Sequence, residues 1–74
     1  MNSIKKEQEF LEKIGKNIDQ FRKKRGLSYK ELADLIEMDK GNLIRIIKGR
    51  TGVTLRIIYR LGLALKTPAN NLLK

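Results

Sequence analysis

Apolar residues recur every three or four positions in the first third of the chain, with polar residues between them. These apolar residues are Phe10, Leu11, Ile14, Ile18 and Phe21. Spacing of this kind predicts an amphipathic α-helix with one buried face. The basic run at residues 22–25 and the glycine at position 26 predict where the helix ends. Cations complement the negative end of a helix dipole, and glycine accepts a left-handed backbone.

Two short helices are predicted next, each with its own start signal. Ser28 and Glu31 have the spacing of a capping box, so the second helix is expected to begin there. Asp39 is a suitable N-cap for a third helix from residue 40 to about residue 48, and Gly49 is a suitable stop. The buried faces are expected to comprise Leu32, Ala33, Leu35 and Ile36 in the second helix and Leu43, Ile46 and Ile47 in the third.

The last part of the chain predicts a fourth helix and a short fifth one. Thr54 is expected to cap the fourth helix, and Thr67 the fifth, with Pro68 at its first position, where the missing N–H is not needed. The buried face of the fourth helix is expected to comprise Leu55, Ile58, Leu61, Gly62 and Leu65, and Leu72 and Leu73 are expected to close the core. No segment shows the alternation typical of a strand. The pattern predicts an all-α fold of five helices.

Gly15 divides the predicted first helix. A glycine inside a helix costs about 1 kcal/mol relative to alanine, which weakens the upstream half. We therefore expect residues 1–13 to form an N-terminal arm or helical extension and residues 14–74 to form the domain. A chain of 74 residues has room for one small core.

The net charge of +9 is evidence about the partner of the protein rather than about its fold. A field of this strength attracts polyanions at long range. It also exceeds the charge of roughly two to eight that is suggested for the solubility of a small domain. Nucleic acid is therefore the first partner to consider, and solubility alone is the alternative explanation of the charge.

The composition excludes several kinds of chemistry. The chain has no Cys and no His, which removes thiolate nucleophiles, imidazole bases and the usual zinc ligands. Asp19, Asp34 and Asp39 fall on different predicted helices and form no paired catalytic site. We expect no catalytic residue, metal or cofactor, and no small-molecule ligand is evident. No apolar run approaches the ~18 residues of a membrane span, so we expect a cytoplasmic protein without a membrane partner.

The second and third predicted helices are joined by a very short turn. Such a turn makes two helices cross steeply, as in a helix-turn-helix. The inward-facing positions of such a unit are all apolar here: Leu32, Ala33, Ile36, Met38, Leu43 and Ile46. On these residues the chain resembles the lambda repressor and Cro-like helix-turn-helix family, the XRE-type regulators. The resemblance covers about residues 14–73 and includes IGKNIDQFRKKRGLS, YKELADLIEMDKGNLIRI, KGRTGVTL and LALKTPANNLL. It implies a compact five-helix domain.

The resemblance also implies that the third helix enters the major groove of double-stranded DNA. Lys40, Asn42 and Arg45 are then candidate base readers, because Asn can bind adenine and Arg or Lys can bind guanine in a bidentate manner. Ordinary solvated side chains are the alternative. Ile44 could contact a thymine methyl group or fill a gap against the second helix. Gly41 cannot read a base, but it could let the backbone come close to DNA.

Contacts to the DNA backbone are implied for a second set of residues. They are Tyr29, Lys30, Lys48, Arg50 and Thr51. The last three lie in the segment that, in the family, runs beside the sugar-phosphate chain, where cations and amides fix the register without reading sequence. The Tyr29 hydroxyl could donate to a phosphate, or its ring could pack across the start of the second helix.

Two positions depart from the family's pattern. Glu37 stands where the family prefers glycine, because the chain there often becomes left-handed, which costs another residue roughly 1 to 2 kcal/mol. Ile47 stands where the family commonly has a glutamate that pairs with the arginine matching Arg22. Arg22 therefore needs another carboxylate, water or a DNA phosphate as its partner.

The fourth helix has more apolar residues than one buried face needs. Ile57, Tyr59 and Leu63 are predicted to form the interface of a two-fold dimer. The alternative is that they are scattered exposed apolar residues, which are normal on a protein surface. Such a homodimer would present two recognition helices about 34 Å apart to successive major grooves.

Three functional hypotheses follow from these observations. The leading one is a sequence-specific transcriptional regulator that binds a near-palindromic operator in double-stranded DNA as a homodimer. The alternative is a protein-interaction module with the same fold, such as an antitoxin, an anti-repressor or a co-activator, which Ile44, Ile47 and Leu63 favour. The third is non-specific binding of RNA or a membrane surface by charge alone.

Overall fold

Residues 2–74 fold into four α-helices and one 3-10 turn. The computed structural model describes residues 2–74, and their side chains from residue 3 on. The elements are α1 (Asn2–Lys24), α2 (Tyr29–Leu35), α3 (Lys40–Ile47), α4 (Leu55–Leu65) and the 3-10 turn (Ala69–Leu72). No β-strand occurs in this range. α1 packs against α3, α4 and the 3-10 turn, and α2 packs against α3. The predicted all-α fold is confirmed.

The predicted count of five helices is not confirmed, because the last element is a single turn. Pro68 has an extended backbone (φ −56°, ψ 137°) and precedes the turn instead of starting a helix. Thr67 does not cap it: its hydroxyl oxygen accepts a hydrogen bond from the side-chain amide of Asn71 at 3.1 Å. A segment of four residues is too short to build the repeated bonds of an α-helix.

One apolar cluster contributed by all five elements forms the core. Its members are Ile14, Ile18, Leu32, Ala33, Ile36, Leu43, Ile46, Ile47, Ile58, Leu61, Leu65 and Leu72. No polar or charged residue is buried among the residues that the structure describes. The Asn17 side-chain amide donates to the Leu72 carbonyl at 3.0 Å and to the Lys74 carbonyl at 3.1 Å. These bonds hold the last described residues against α1.

Four apolar residues that the periodicity places in the core are exposed instead. They are Phe10 (51% exposed), Leu35 (59%), Leu55 (78%) and Leu73 (36%). Three of them lie at the margin of an element: Leu35 and Leu55 are terminal helical residues, and Leu73 follows the last turn. Phe10 lies one turn before Ile14, the first core residue of α1. A periodic pattern indicates the face of a helix, but the neighbouring elements decide how far along the helix that face is covered.

The predicted starts of α2, α3 and α4 are confirmed by side-chain caps. The Glu31 amide donates to the Ser28 hydroxyl at 3.0 Å, and the Ser28 amide donates to the Glu31 carboxylate at 2.8 Å. Asp39 and Thr54 each accept one hydrogen bond from an amide three residues later. These bonds satisfy amides that a helix cannot satisfy itself.

Left-handed residues follow the α-helices, and two of these residues are not glycine. Gly26 (φ 68°) follows α1, and Gly49 (φ 71°) follows α3, as predicted. Glu37 after α2 and Lys66 after α4 both have φ 56°. The turn at Glu37 therefore keeps the left-handed geometry for which glycine would be preferred. A side chain in this conformation costs roughly 1 to 2 kcal/mol.

Gly15 is a contact point between two helices. It is buried, and a Cβ atom added to it would lie 2.1 Å from the Ile47 carbonyl oxygen. The backbones of α1 and α3 approach each other here without an intervening side chain. α1 continues through this position from Asn2 to Lys24, and the division of the chain at residue 13 stays a prediction.

Candidate nucleic-acid interface

The buried residues of α3 determine which of its faces points outward. Leu43, Ile46 and Ile47 are buried. Because successive residues of an α-helix are turned by about 100°, the opposite ridge carries Gly41, Arg45 and Lys48. All three residues of this ridge are exposed.

Asn42 and Arg45 are available to a partner. Both residues are exposed, and neither side chain forms a hydrogen bond or ion pair with another residue in the range 3–74. Both residues line a hollow of about 210 Å³, together with residues of the loop after α3 and with Ile57. Lys40, at the first position of α3, is also exposed. The structure therefore brings the three candidate base readers onto one short, accessible helix.

Ile44 and Gly41 complete this surface. Ile44 is half-buried, yet it is not among the partly buried residues that pack against the described core. A Cβ atom at Gly41 would approach only the Asp39 carboxylate, at 3.0 Å. Neither backbone geometry nor helix packing therefore demands a glycine at position 41.

The candidate phosphate-binding residues lie at two places. Lys48 and Arg50 are exposed and Thr51 is half-buried, in the segment that follows α3. Tyr29 and Lys30 lie at the start of α2. The Lys30 ammonium group is 3.0 Å from the Asp34 carboxylate, an exposed pair that water screens strongly.

Arg22 has its partners inside the molecule. Its Nε donates to the Asp19 carboxylate at 2.8 Å, and its Nη1 donates to the Leu27 carbonyl at 2.7 Å. The guanidinium group also lies over the Tyr29 ring, 4.1 Å from the centroid. Arg22 thus links α1 to the start of α2. Its acidic partner is Asp19, because the apolar side chain of Ile47 cannot fill that role. The three-residue spacing of Asp19 and Arg22 on one helix is a signal that sequence reasoning missed.

The structure separates the three residues predicted for the dimer interface. Tyr59 and Leu63 are 62% and 64% exposed and share one stripe of α4 with Leu55, at four-residue spacing. Ile57 is half-buried, packs against the core, and lies beside the hollow that Asn42 and Arg45 border. We call Leu55, Tyr59 and Leu63 the apolar stripe. The sequence pattern predicts Leu55 in the core, but it is exposed, and its spacing from Tyr59 and Leu63 matches the stripe.

No group of three or more His, Cys, Asp or Glu side chains in the described part could hold a metal ion. None of the helices described combines the length and the apolar character that crossing a bilayer requires.

Known proteins share this architecture. A family model described as helix-turn-helix matches residues 18–72. The crystal structure of the restriction-modification controller protein C.AhdI from Aeromonas hydrophila is similar, with 31% sequence identity and a TM-score of 0.81. The match covers 84% of this chain and 94% of that protein. A comparison with curated protein sequences gives no match.

Proposed function

Because the chain belongs to the XRE-type helix-turn-helix family of DNA-binding transcriptional regulators, we propose that it recognises a specific operator through α3. The accessibility of Asn42 and Arg45 carries this proposal. They are exposed and unpaired within the described part of the molecule, on a helix whose opposite face is fixed in the core. In this reading, the protein acts by occupying DNA and catalyses no reaction.

The shape of the recognition helix suits the major groove. The groove is about 12 Å wide and admits one helix with its side chains. In the proposed complex Arg45 and Lys40 bind guanine, Asn42 binds adenine, and Ile44 contacts a thymine methyl group. The exposed position of Gly41, where the fold requires no glycine, supports a close approach of the helix backbone to DNA.

Backbone contacts fix the register in this proposal. Lys48, Arg50 and Thr51 contact one strand beyond the end of α3, and Tyr29 and Lys30 contact the backbone at the start of α2. Such contacts supply affinity but no direct sequence information. The net charge of +9 supports the same assignment, because it steers the protein toward a polyanion.

Sequence competition tests the proposal. We expect DNA sequences selected from a random pool by the full chain to share a motif with two related halves. At a fixed salt concentration, the affinity of the chain for the selected site should exceed its affinity for random DNA by a factor of about 10³ or more. Equal affinity for both, with a steep salt dependence, would instead identify binding by charge alone.

We propose the apolar stripe as the core of a homodimer interface. Large exposed apolar side chains on one helix face lose unfavourable contact with water when a second copy covers them. A two-fold arrangement would also match the two halves of a near-palindromic site.

Leu63→Glu is expected to shift the chain from dimer to monomer, because each copy would bury a charge in the interface. Sedimentation velocity at one protein concentration measures the shift. Leu35→Glu is the matched control, since Leu35 is also a half-exposed leucine (59%) but lies on α2, away from the stripe. Identical monomeric profiles for the wild type and both variants would exclude the stripe from self-association.

A second candidate function uses the same stripe for a different protein. An antitoxin, anti-repressor or co-activator would keep the fold and cover Leu55, Tyr59 and Leu63 with its partner. This function predicts no motif in the DNA selection and a wild-type monomer in sedimentation. The two experiments above therefore separate the candidates.

A further inference from the structure

The N-terminal half of α1 contacts the end of the recognition helix. The Gln8 side-chain amide donates to the Gly49 carbonyl at 2.8 Å and to the Glu12 carboxylate at 3.2 Å. A Cβ atom at Gly49 would lie 2.9 Å from Glu12 Cα, so the two backbones are in close contact. Gly15 makes the corresponding approach to Ile47. Residues 8–15 therefore fix the position of the segment that leaves α3.

A hollow of about 570 Å³ lies at this junction. It is lined by Gln8, Glu12, Lys16, Ile47, Lys48 and Arg50. Three of these side chains are cations, and Glu12 is the only acid. Within residues 3–74, none of the three cations lies within ion-pair distance of a carboxylate. The hollow thus carries a net positive charge that the described part of the molecule leaves unneutralised.

The position of the hollow beside α3 indicates which kind of anion could bind in it. Lys48, the residue directly after α3, continues the outward ridge of this helix one turn after Arg45 and also lines the hollow. A duplex seated on α3 would therefore bring its sugar-phosphate backbone past Lys48 toward α1. A cation on α1 at this place would meet the same strand as Lys48 and Arg50.

We propose that Lys16 binds a DNA backbone phosphate together with Lys48 and Arg50, so that α1 widens the DNA contact beyond the helix-turn-helix. The proposal rests on the proposed function, since it takes α3 as the helix that enters the groove. Lys16 lies outside residues 18–72, the part that the family model matches. Gln8 acts as a positioning residue, because its bond to the Gly49 carbonyl holds the two sides of the hollow together.

The salt dependence of binding to random duplex DNA tests Lys16 directly. Each phosphate contact contributes about 0.9 to the slope of log K against log salt concentration. We expect Lys16→Gln to reduce the slope by about one unit and to weaken the binding of random and selected DNA equally. Lys16→Arg, which keeps the charge, should restore the wild-type slope.

Lys13→Gln is the matched control. Lys13 is an exposed lysine one turn earlier on α1, and it does not line the hollow. Its removal changes the net charge by the same amount and should leave the slope close to that of the wild type. Equal slopes for the wild type and Lys16→Gln, or equal reductions by both Gln variants, would overturn the proposal.

The wild-type protein separates this test from that of the proposed function. A wild type that selects no motif from random DNA refutes the proposed function, whatever the Lys16 variants do. A wild type that selects a motif, with a slope that Lys16→Gln does not change, refutes only the contact by α1.

Discussion

Gly15→Ala is expected to lower the free energy of unfolding by about 3 kcal/mol, the upper end for an overpacked site. The new methyl group would lie 2.1 Å from the Ile47 carbonyl oxygen. That atom belongs to the backbone and cannot rotate away, so α1 and α3 must move apart. Alanine favours the helix over glycine by about 1 kcal/mol, which offsets only part of this cost. Because small domains are stable by only about 5 to 15 kcal/mol, the loss is large.

Denaturant unfolding followed by circular dichroism measures this change. Gly52→Ala is the matched control, since a Cβ atom at Gly52 meets no atom within 4 Å and its φ is not left-handed. That substitution should leave stability unchanged or raise it by up to about 1 kcal/mol, by restricting the unfolded chain. A Gly15→Ala protein as stable as the wild type would show that α1 and α3 do not cross at this point.

Arg45→Ala is expected to cost roughly 1 to 3 kcal/mol of binding free energy on the selected DNA site. Since 1.4 kcal/mol is tenfold in affinity, the loss is about fivefold to more than a hundredfold. Arg45 lies on the exposed ridge of α3 and has no partner within the described residues. Truncation would remove the base contact that we propose for Arg45 and leave the fold intact. Asn42→Ala should show a loss of similar size, because it would remove the bidentate contact to adenine that we propose.

Arg50→Ala is the control for these variants. Arg50 is also an exposed arginine, but we place it against the DNA backbone, so its removal should weaken selected and random DNA to a similar extent. Titration of each variant with selected and with random DNA, at one salt concentration, gives the ratio of its affinities for the two DNAs. Equal losses on the two DNAs for all three variants would refute the assignment of Asn42 and Arg45 as base readers.

Local chemistry made much of the fold predictable from the sequence. Capping depends on residues only three positions apart, so Ser28 with Glu31 marks the start of α2 without any tertiary information. The helix ends at Gly26 and Gly49 were predictable for the same reason. The extent of burial was less predictable, because exposure at Phe10 and Leu55 depends on where the neighbouring elements stop.

The candidate site was predictable in outline, since the outward face of α3 follows from its buried residues. Its surroundings were not. Gly15 reads as a helix weakness in the sequence, yet it allows the close approach of α1 to Ile47, a residue distant in the chain. The sequence groups Ile57 with Tyr59 in one predicted interface, but Ile57 packs inward beside the hollow next to Asn42. Both results depend on contacts between helices, which no local pattern encodes.

The attachment of the last turn to α1 has a consequence for synthesis on the ribosome. α1 emerges before the other elements, whereas Leu72, which is fully buried, and the Asn17 partners at positions 72 and 74 emerge after them. The side of α1 that packs against the 3-10 turn therefore stays uncovered while the rest of the polypeptide is translated. The nascent domain can complete its core only after residue 72 has left the exit tunnel. A polypeptide arrested before that point therefore has an incomplete core and is accessible to proteases.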